Sequence, residues 1–275
     1  MKIAYLIDRE SLGGGCEYIR RKSDARQEAG DICRTFYSDN GECRAVVLDA
    51  WGADEIVVNH LKALLQLLGR PWEKPRGKVR FVVHGIHLRG CHGLKYWLRR
   101  ALEAWLYHRC DEIVALTESD KTDIFRLYRK NLKVVIEPNN LDGWIPNLAD
   151  GLPAGITGEF KYICIGRFNY QKGQDRWIRQ IRGRTFFIGD GETLQKCKTL
   201  AETLHVANLC AFAGAIPDAV RYLKCADVVV SPSRWEGMPY LMMKARQLGC
   251  EILATDCPGN RDVLAGYEKW EVLKI

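Results

Sequence analysis

The residues best suited to chemistry follow predicted strands in the second half of the sequence. Arg167 and Lys172 lie in "GRFNYQKGQD", between a predicted strand at 161–166 and a helix predicted to begin at Gln174. Two cations at the carboxyl end of a strand, ahead of a helix N-terminus, can bind a diphosphate. A solvent-exposed basic loop is the alternative explanation of this pattern.

A second segment, "SRWEGMPYLMMKARQLG", combines a carboxylate, a turn and a short helix. Glu236 lies in the turn, where its oxygens can accept hydrogen bonds from sugar hydroxyls. Pro239 fits the first turn of the helix, so the amides near Gly237 and Met238 can point at an anion. The segment predicts an anion and sugar site.

Glycine turns and one histidine mark further strand ends. "FIGDGE" has Gly189 and Gly191 at its bends, which let a ligand approach the backbone; a plain turn is the alternative. "SLGGGCE" opens a predicted helix in the first half, where Gly14 and Gly15 allow close approach of phosphate or sugar. It is not G-x-G-x-x-G, so a dinucleotide cofactor is disfavoured. His84 follows the strand "RFVV", a position that fits a structural and a functional role equally well.

Composition sets limits on the class of protein. The chain has 275 residues, of which 47% are hydrophobic and 27% charged, which is typical of a globular protein with room for two domains. No apolar run approaches the roughly 20 residues of a membrane span, and no export signal is recognisable, so we expect a cytoplasmic protein. The eleven cysteines include no C-x-x-C pair, which favours reduced thiols over a zinc site.

Positive charge is concentrated in one stretch. Residues 62–109 contain eleven Lys and Arg and only two acids, a surplus larger than the net charge of +7 of the whole chain. This predicts an anionic partner, which could be nucleic acid, a phospholipid surface or a phosphorylated substrate. No nucleic-acid-binding motif accompanies the charge, so we expect no nucleic acid.

Within this stretch, residues 93–110 have the apolar spacing of an amphipathic helix. The stripe consists of Leu94, Trp97, Leu98, Ala101, Leu102, Trp105 and Leu106. One interpretation is a helix packed on the sheet. The other is a patch that meets an anionic membrane surface, peripheral on the inner face of the cytoplasmic membrane, and its lipid-linked acceptors.

The elements that must position these residues alternate between short apolar runs and helical patterns. The predicted strands are "KIAYLI", "EIVVNH", "RFVVHG", "EIVALT" and "KVVIEP", then "YICIGR", "TFFIGDG", "CAFAGAI", "DVVVSPS" and "EILATDCPG". This alternation predicts a doubly wound α/β architecture. Residues 139–160 are rich in Gly, Pro, Asn and Asp, so we predict two domains, 1–142 and 143–275. Ligands bind such sheets at strand carboxyl ends, which predicts a site in the cleft between the domains.

In order and spacing, these motifs resemble the retaining glycosyltransferases of GT-B fold, of the glycosyltransferase family 4 kind (glycosyl transferases group 1). The resemblance covers most of the chain and is strongest over residues 162–264. The segments that resemble the family are "GGCE", "HG", "PNNLD", "GRFNYQKG", "GDGE", "FAGAI", "ADVVVSPSRWEGMP" and "TDCPGNRDVL". The resemblance implies two Rossmann-like domains facing a cleft, the first on the acceptor side and the second binding the nucleotide-sugar.

The resemblance also implies a reaction. A sugar would pass from a nucleotide-diphosphate sugar to a hydroxyl of a glycan or lipid-linked acceptor, with retention of anomeric configuration. Arg167 and Lys172 would neutralise the leaving diphosphate without a metal or other cofactor, and Glu236 and His84 would orient the sugar. The acceptor would belong to lipopolysaccharide, capsule or another cell-surface glycan.

One position departs from the family pattern. The family's E-x7-E motif begins at Glu236 and ends on a Glu that binds the ribose hydroxyls, but this chain has Lys244 there. Lysine donates hydrogen bonds and accepts none, so the donor contact at Lys244 is expected to be altered. The alternative function is a weakly active or inactive glycosyltransferase-like protein that binds nucleotide-sugars.

Overall fold

The first half of the chain folds around a parallel sheet of six described strands. They are β1 (Lys2–Ile7), β2 (Ile32–Tyr37), β3 (Glu55–Val58), β4 (Lys78–Val83), β5 (Glu112–Ala115) and β6 (Val134–Ile136). Their order across the sheet is β2-β1-β3-β4-β5-β6. The connecting helices are α1 (Gly14–Glu28), α2 (Ala45–Trp51), α3 (Leu61–Leu68), α4 (Gly93–Tyr107) and α5 (Glu118–Tyr128). The chain thus builds outward from β1 in both directions, which is a doubly wound topology.

The second half repeats this layout with its own sheet. Its strands are β7 (Tyr162–Ile165), β8 (Thr185–Ile188), β9 (Cys210–Phe212), β10 (Val228–Ser231), β11 (Glu251–Ala254) and β12 (Trp270–Val272). Their order is β12-β11-β10-β7-β8-β9, and every neighbouring pair is parallel. The helices are α6 (Gln174–Ile178), α7 (Leu194–Thr203), α8 (Tyr240–Gln247) and α9 (Pro258–Leu264).

The structure, a computed structural model, describes residues 1–9, 14–128 and 131–275. They form two units, Met1–Asn139 and Asn140–Ile275, and the predicted division between residues 142 and 143 lies just beyond this boundary. The predicted doubly wound α/β class is confirmed. In the described part of the chain, no helix is long and apolar enough to cross a membrane.

Central strands are buried on both faces, which explains their continuous apolar sequence. In β1, the residues from Ile3 to Ile7 are at most 3% exposed. The sequence does not predict β2 and β12, which are the edge strands on one side of each sheet. Residues of β2 alternate in burial around Arg34, and β12 has three residues, so neither forms an apolar run.

All eleven cysteines are free thiols, and several lie inside the two cores. Cys43 belongs to the core of the first unit and Cys164 to that of the second. Burial raises the pKa of each of these two thiols to about 12. They therefore behave as small apolar side chains.

A network of charges crosses the first sheet. Arg80 on β4 donates to Glu112 of β5 (2.7 Å) and Glu55 of β3 (3.2 Å), and it also pairs with Glu137. Lys133 reaches the other oxygen of Glu112 at 2.8 Å. Burial raises the pKa of Glu112, but hydrogen bonds from Lys133 and Arg80 outweigh it and bring the pKa down to about 2.

Candidate functional site

The strand order of the second unit reverses between β7 and β10. Ligands of open α/β sheets bind at strand carboxyl ends beside such a reversal. The loops that leave these strands, 166–173 and 232–239, meet at Gly173. Its φ is 67°, and a Cβ there would lie 2.3 Å from the carbonyl oxygen of Pro232. Glycine is therefore required both by the backbone conformation and by the close contact of the two loops.

One buried carboxylate joins these two loops. Glu236 is 7% exposed, and its Oε1 accepts hydrogen bonds from Lys172 Nζ at 2.7 Å and from Ser233 Oγ at 2.6 Å. Thr255, which follows β11, donates to the carbonyl oxygen of Ser233 at 2.6 Å. No hydrogen bond from the described residues reaches Oε2 of Glu236, so this oxygen is available to a donor on a ligand.

Arg167 lies at the start of the same loop that ends in Lys172. It is exposed, and its carbonyl oxygen accepts a hydrogen bond from Gln174 Nε2 at 3.1 Å. Gln174 itself is 1% exposed, and its Oε1 has no partner among the described residues. The structure thus brings both predicted cations onto one loop, with Lys172 held by Glu236 and Arg167 facing solvent.

The "GDGE" turn packs against this loop. A Cβ at Gly189 would lie 2.0 Å from the carbonyl oxygen of Gly166, and one at Gly191 would lie 2.3 Å from that of Phe168. Their φ angles, 145° and 150°, also favour glycine. Both glycines are therefore explained by packing of the turn on the loop. Their predicted contact with a donor stays a prediction.

Gly237, Met238 and Pro239 lead into α8. Pro239 is the residue before the helix, not within its first turn, and α8 begins at Tyr240. A Cβ at Gly259 would lie 1.9 Å from the carbonyl oxygen of Gly237, so the start of α9 packs directly on this turn. Close packing fixes the turn that contains the predicted donor-binding residues.

Lys244 lies inside α8 and is only 6% exposed. Its Nζ is 5.4 Å from the ring centroid of Trp144, within the range of a cation–π interaction. The family that this chain resembles has a carboxylate at this position. Here the position holds an ammonium group, and an aromatic ring lies close to it.

Arg234 and Asp175 were not among the predicted site residues. Arg234 donates to both carboxylate oxygens of Asp175, at 2.9 and 2.7 Å, and its guanidinium lies 4.0 Å from the ring centroid of Tyr170. Burial raises the pKa of Asp175, but the hydrogen bonds from Arg234 outweigh it, so the pKa is lowered. This pair fixes loop 232–239 to the first turn of α6. Ser233 and Arg234 could have been predicted as site residues, because they directly follow a predicted strand in the segment Ser-Arg-Trp-Glu.

The predicted residues of the first unit lie at its own strand ends. His84, after β4, has Nε2 3.0 Å from Asn59 Oδ1, and the ring of Tyr18 meets its ring edge-on at 5.3 Å. Gly14 and Gly15 form the start of α1, while residues 11–13 of the same motif lie outside the described residues. Each unit therefore contains its own group of predicted site residues.

Most of the apolar stripe of α4 faces solvent. Leu94 is 74% exposed, Trp97 59% and Leu98 64%. The packed face instead includes Glu103, which is 4% exposed and accepts a hydrogen bond from Arg99 at 2.8 Å. The structure therefore disfavours the interpretation in which this stripe packs on the sheet.

Comparisons with known proteins agree with this arrangement. Residues 154–272 match the model of the family described as glycosyl transferases group 1. An uncharacterized glycosyltransferase of Methanocaldococcus jannaschii is 27% identical over 176 residues, 58% of this chain and 43% of that one. A UDP-Gal:α-D-GlcNAc-diphosphoundecaprenol α-1,3-galactosyltransferase of Escherichia coli is 28% identical over 217 residues, 70% of this chain and 56% of that one. The chain spans about half the length of the curated relatives it matches.

The fold is similar to that of a sucrose-phosphate synthase from Thermosynechococcus elongatus. The TM-score is 0.80, with 17% identity over 99% of this chain and 86% of that one. At this identity the likeness concerns the fold alone. The predicted GT-B fold and the resemblance to group 1 glycosyltransferases are confirmed, whereas membership of family 4 and the retaining mechanism stay predictions.

Proposed function

We propose that the protein transfers a sugar from a nucleoside-diphosphate donor to an acceptor hydroxyl, because residues 154–272, most of its second unit, match the model of the glycosyl transferases group 1. The observation that supports this most is the contact of Lys172 with Glu236 at the β7/β10 reversal. A cation and a hydrogen-bond acceptor, side by side at a strand end, suit the phosphate and the hydroxyls of one ligand.

In this proposal the leaving diphosphate lies on loop 166–173. Arg167 and Lys172 offset the negative charge that grows on it as the glycosidic bond breaks, so the reaction needs no metal or cofactor. Glu236 binds sugar hydroxyls through Oε2, because Oε1 already accepts two hydrogen bonds. The resemblance implies that His84 also orients the transferred sugar, and this role stays a prediction.

The transfer retains anomeric configuration. The acceptor oxygen forms its bond to the anomeric carbon on the face that the diphosphate leaves, and the hydroxyl proton passes to the leaving phosphate. No side chain acts as a nucleophile. The anomeric configuration of the product, measured by proton NMR, tests this, and an inverted product would contradict it.

We further propose that the acceptor is a glycan at a membrane, in lipopolysaccharide, capsule or other cell-surface synthesis. The Escherichia coli relative is named for a diphosphoundecaprenol acceptor, which supports a lipid-linked one here. The exposed stripe of α4 would contact an anionic bilayer, with Lys95 and Arg100 beside it. The protein would then be peripheral on the cytoplasmic face of the membrane.

Donor binding is tested by thermal unfolding with uridine, guanosine and cytidine diphosphates and their sugars. A ligand at 100 times its dissociation constant stabilises the folded chain by about 2.7 kcal/mol. Arg167→Ala should weaken binding of the best nucleotide about tenfold or more, since it removes a charged hydrogen-bond partner worth about 1.5–3 kcal/mol. Arg182→Ala, which removes an exposed arginine of the same unit, is the matched control.

A second candidate function is a binding protein that no longer transfers sugar. Lys244 favours it, because the ribose-binding carboxylate of the resembling family is missing there. One experiment distinguishes the transferase from the binding protein. Binding of a nucleotide-sugar without any transfer or hydrolysis favours the binding protein. Absence of all nucleotide binding contradicts both.

A further inference from the structure

The loop between α3 and β4 contains an exposed tryptophan among cations. Trp72 is 80% exposed, and Arg70, Lys74 and Arg76 in the same loop are exposed as well. We call residues 70–76 the tryptophan loop. A single exposed apolar side chain is common on protein surfaces, so what this one can do depends on what lies around it.

One arginine joins the tryptophan loop to the end of α4. Arg109 donates hydrogen bonds to three carbonyl oxygens of the loop, those of Arg70 (3.1 Å), Pro71 (3.1 Å) and Glu73 (2.7 Å). Its guanidinium also lies 5.1 Å from the ring centroid of Trp105. Trp105 is 38% exposed and belongs to the apolar stripe of α4, so the tryptophan loop extends this stripe beyond the helix.

The backbone on both sides of Trp72 is held in place. Arg109 binds the carbonyl oxygens of the residues that precede and follow Trp72. The ring of Pro71 fixes the φ angle just before the tryptophan, and Pro75 is buried and anchors the other end of the loop. The loop therefore presents the indole ring on a restrained backbone, so little backbone entropy is lost when the ring binds a partner.

The chemistry of this surface fits a bilayer of anionic lipid. Tryptophan is enriched where membranes meet water, because its ring is apolar while its N–H can still bind a polar group. Leu94 and Leu98 of the stripe add exposed aliphatic area. The eleven Lys and Arg of residues 62–109, against two acids, attract a negative surface. A soluble polyanion would pair with the cations but would leave the leucines and tryptophans in water.

We propose that the tryptophan loop is a second membrane contact, in which Trp72 enters the interface of an anionic bilayer next to α4. The inference rests on the proposed membrane contact of α4 and adds a point of attachment that does not lie on that helix. A single amphipathic helix can roll about its axis on a membrane surface, whereas two contacts restrict this rotation. Attachment at both points therefore sets which face of the first unit meets the lipid.

The first test is binding to vesicles of phosphatidylcholine and phosphatidylglycerol. Trp72→Ala should weaken binding about five- to tenfold, because the ring no longer buries its apolar surface in the interface, whereas Trp72→Phe should keep part of the affinity. Ile32→Ala, which shortens an exposed apolar residue of β2 in the same unit, is the control. The melting temperature of Trp72→Ala should match that of the wild type, since the ring is exposed in the free protein.

The second test locates the ring itself. In protein labelled with fluorotryptophan, the fluorine NMR signal of Trp72 is assigned by its loss in Trp72→Phe. A nitroxide-labelled lipid in bicelles of the same two lipids should broaden this signal. The signal of Trp177, which is fully buried in the second unit, should not change.

If Trp72→Ala binds vesicles as the wild type does, or if the nitroxide lipid leaves the Trp72 signal unchanged, the inference is wrong. A loss of binding on replacement of Leu94, Trp97 and Leu98 would then still support the contact of α4. A wild type that does not bind anionic vesicles would contradict both membrane contacts. Sugar transfer, assayed with a water-soluble acceptor, would be tested apart from either.

Discussion

The ammonium group of Lys172 and the carboxylate of Glu236 are in contact at a largely buried point. Removing one charge is therefore expected to destabilise the folded chain, because the other charge stays behind without its partner. Lys172→Met leaves the carboxylate with Ser233 as its side-chain donor, which should destabilise the chain by about 1–3 kcal/mol and weaken uridine diphosphate binding about tenfold or more. The double variant Lys172→Met with Glu236→Gln removes both charges, so stability should largely return and binding should not.

Urea unfolding and calorimetry measure these two effects separately. Lys196→Met, at an exposed position on α7, serves as the control. If the double variant binds the nucleotide as tightly as the wild type, Lys172 does not contact the diphosphate.

Lys244 is the residue at which a substitution should improve binding. Lys244→Glu restores an acceptor for two ribose hydroxyls, so nucleoside diphosphates should bind more tightly by about 1–2 kcal/mol. The free protein should become less stable, because the cation–π contact with Trp144 is lost and a carboxylate is buried.

Calorimetry with uridine, guanosine and cytidine diphosphates measures the change at Lys244, with Lys244→Gln as the comparison that removes charge without adding a carboxylate. Weaker binding of the best ligand by Lys244→Glu would mean that the ammonium group itself contacts the donor.

Residues of the candidate site were predictable where they follow a central strand. Arg167, Lys172 and Glu236 stand out for this reason, and the structure brings them onto two touching loops. Arg234 and Asp175 were not predicted, because a single charged side chain in such a loop is common. Only the contact between them in the folded chain distinguishes the pair.

Among the elements, α4 has the most unusual distribution of side chains. Replacing Leu94, Trp97 and Leu98 together with Gln should reduce binding to vesicles of anionic lipid strongly, because these side chains are exposed and apolar. Lys95→Glu should reduce binding in a salt-dependent manner, since each basic residue near such a surface contributes about 1 kcal/mol.

Co-sedimentation with vesicles measures the binding of α4. Val46→Gln, an exposed apolar residue of α2, is the control. Arg99 is unsuitable as a test site, because its bond to buried Glu103 gives it a structural role. Equal binding of the triple variant and the wild type would exclude α4 as the membrane contact.

Element types were predictable for buried strands and uncertain for elements at the surface. Central strands have continuous apolar sequences because helices cover both faces of the sheet. Strands β2 and β12 lack this pattern, because β2 includes the exposed Arg34 and β12 has only three residues. The apolar spacing of α4 predicted a helix correctly, but spacing alone does not show whether the stripe faces the sheet or the solvent.

At the scale of the whole molecule, each unit has its own core, and a buried carboxyl makes the stability of the first unit depend on pH. The carboxyl of Glu112 has its pKa lowered from 4.5 to about 2, so its contribution to stability is complete above pH 4.5 and is lost as the pH falls toward 2. Glu112→Gln should therefore destabilise the first unit by about 1–3 kcal/mol at pH 6 and by much less near pH 2.

Thermal unfolding of the wild type and of Glu112→Gln between pH 6 and pH 2 tests whether the destabilisation by the substitution decreases as the pH falls. Glu202→Gln, at an exposed position in the second unit, is the control. A difference in melting temperature that stays constant from pH 6 down to pH 2 would show that the network around Arg80 does not hold the carboxyl ionised.

The thiols buried in the two cores can report how often each unit opens. An alkylating reagent attacks the thiolate, and Cys43 and Cys164 form almost none while their units stay closed. Each thiol reacts only when its own unit opens. Mass spectrometry of the labelled peptides therefore measures the opening of the two units separately. A nucleotide that binds only the second unit should slow the labelling of Cys164 and leave that of Cys43 unchanged.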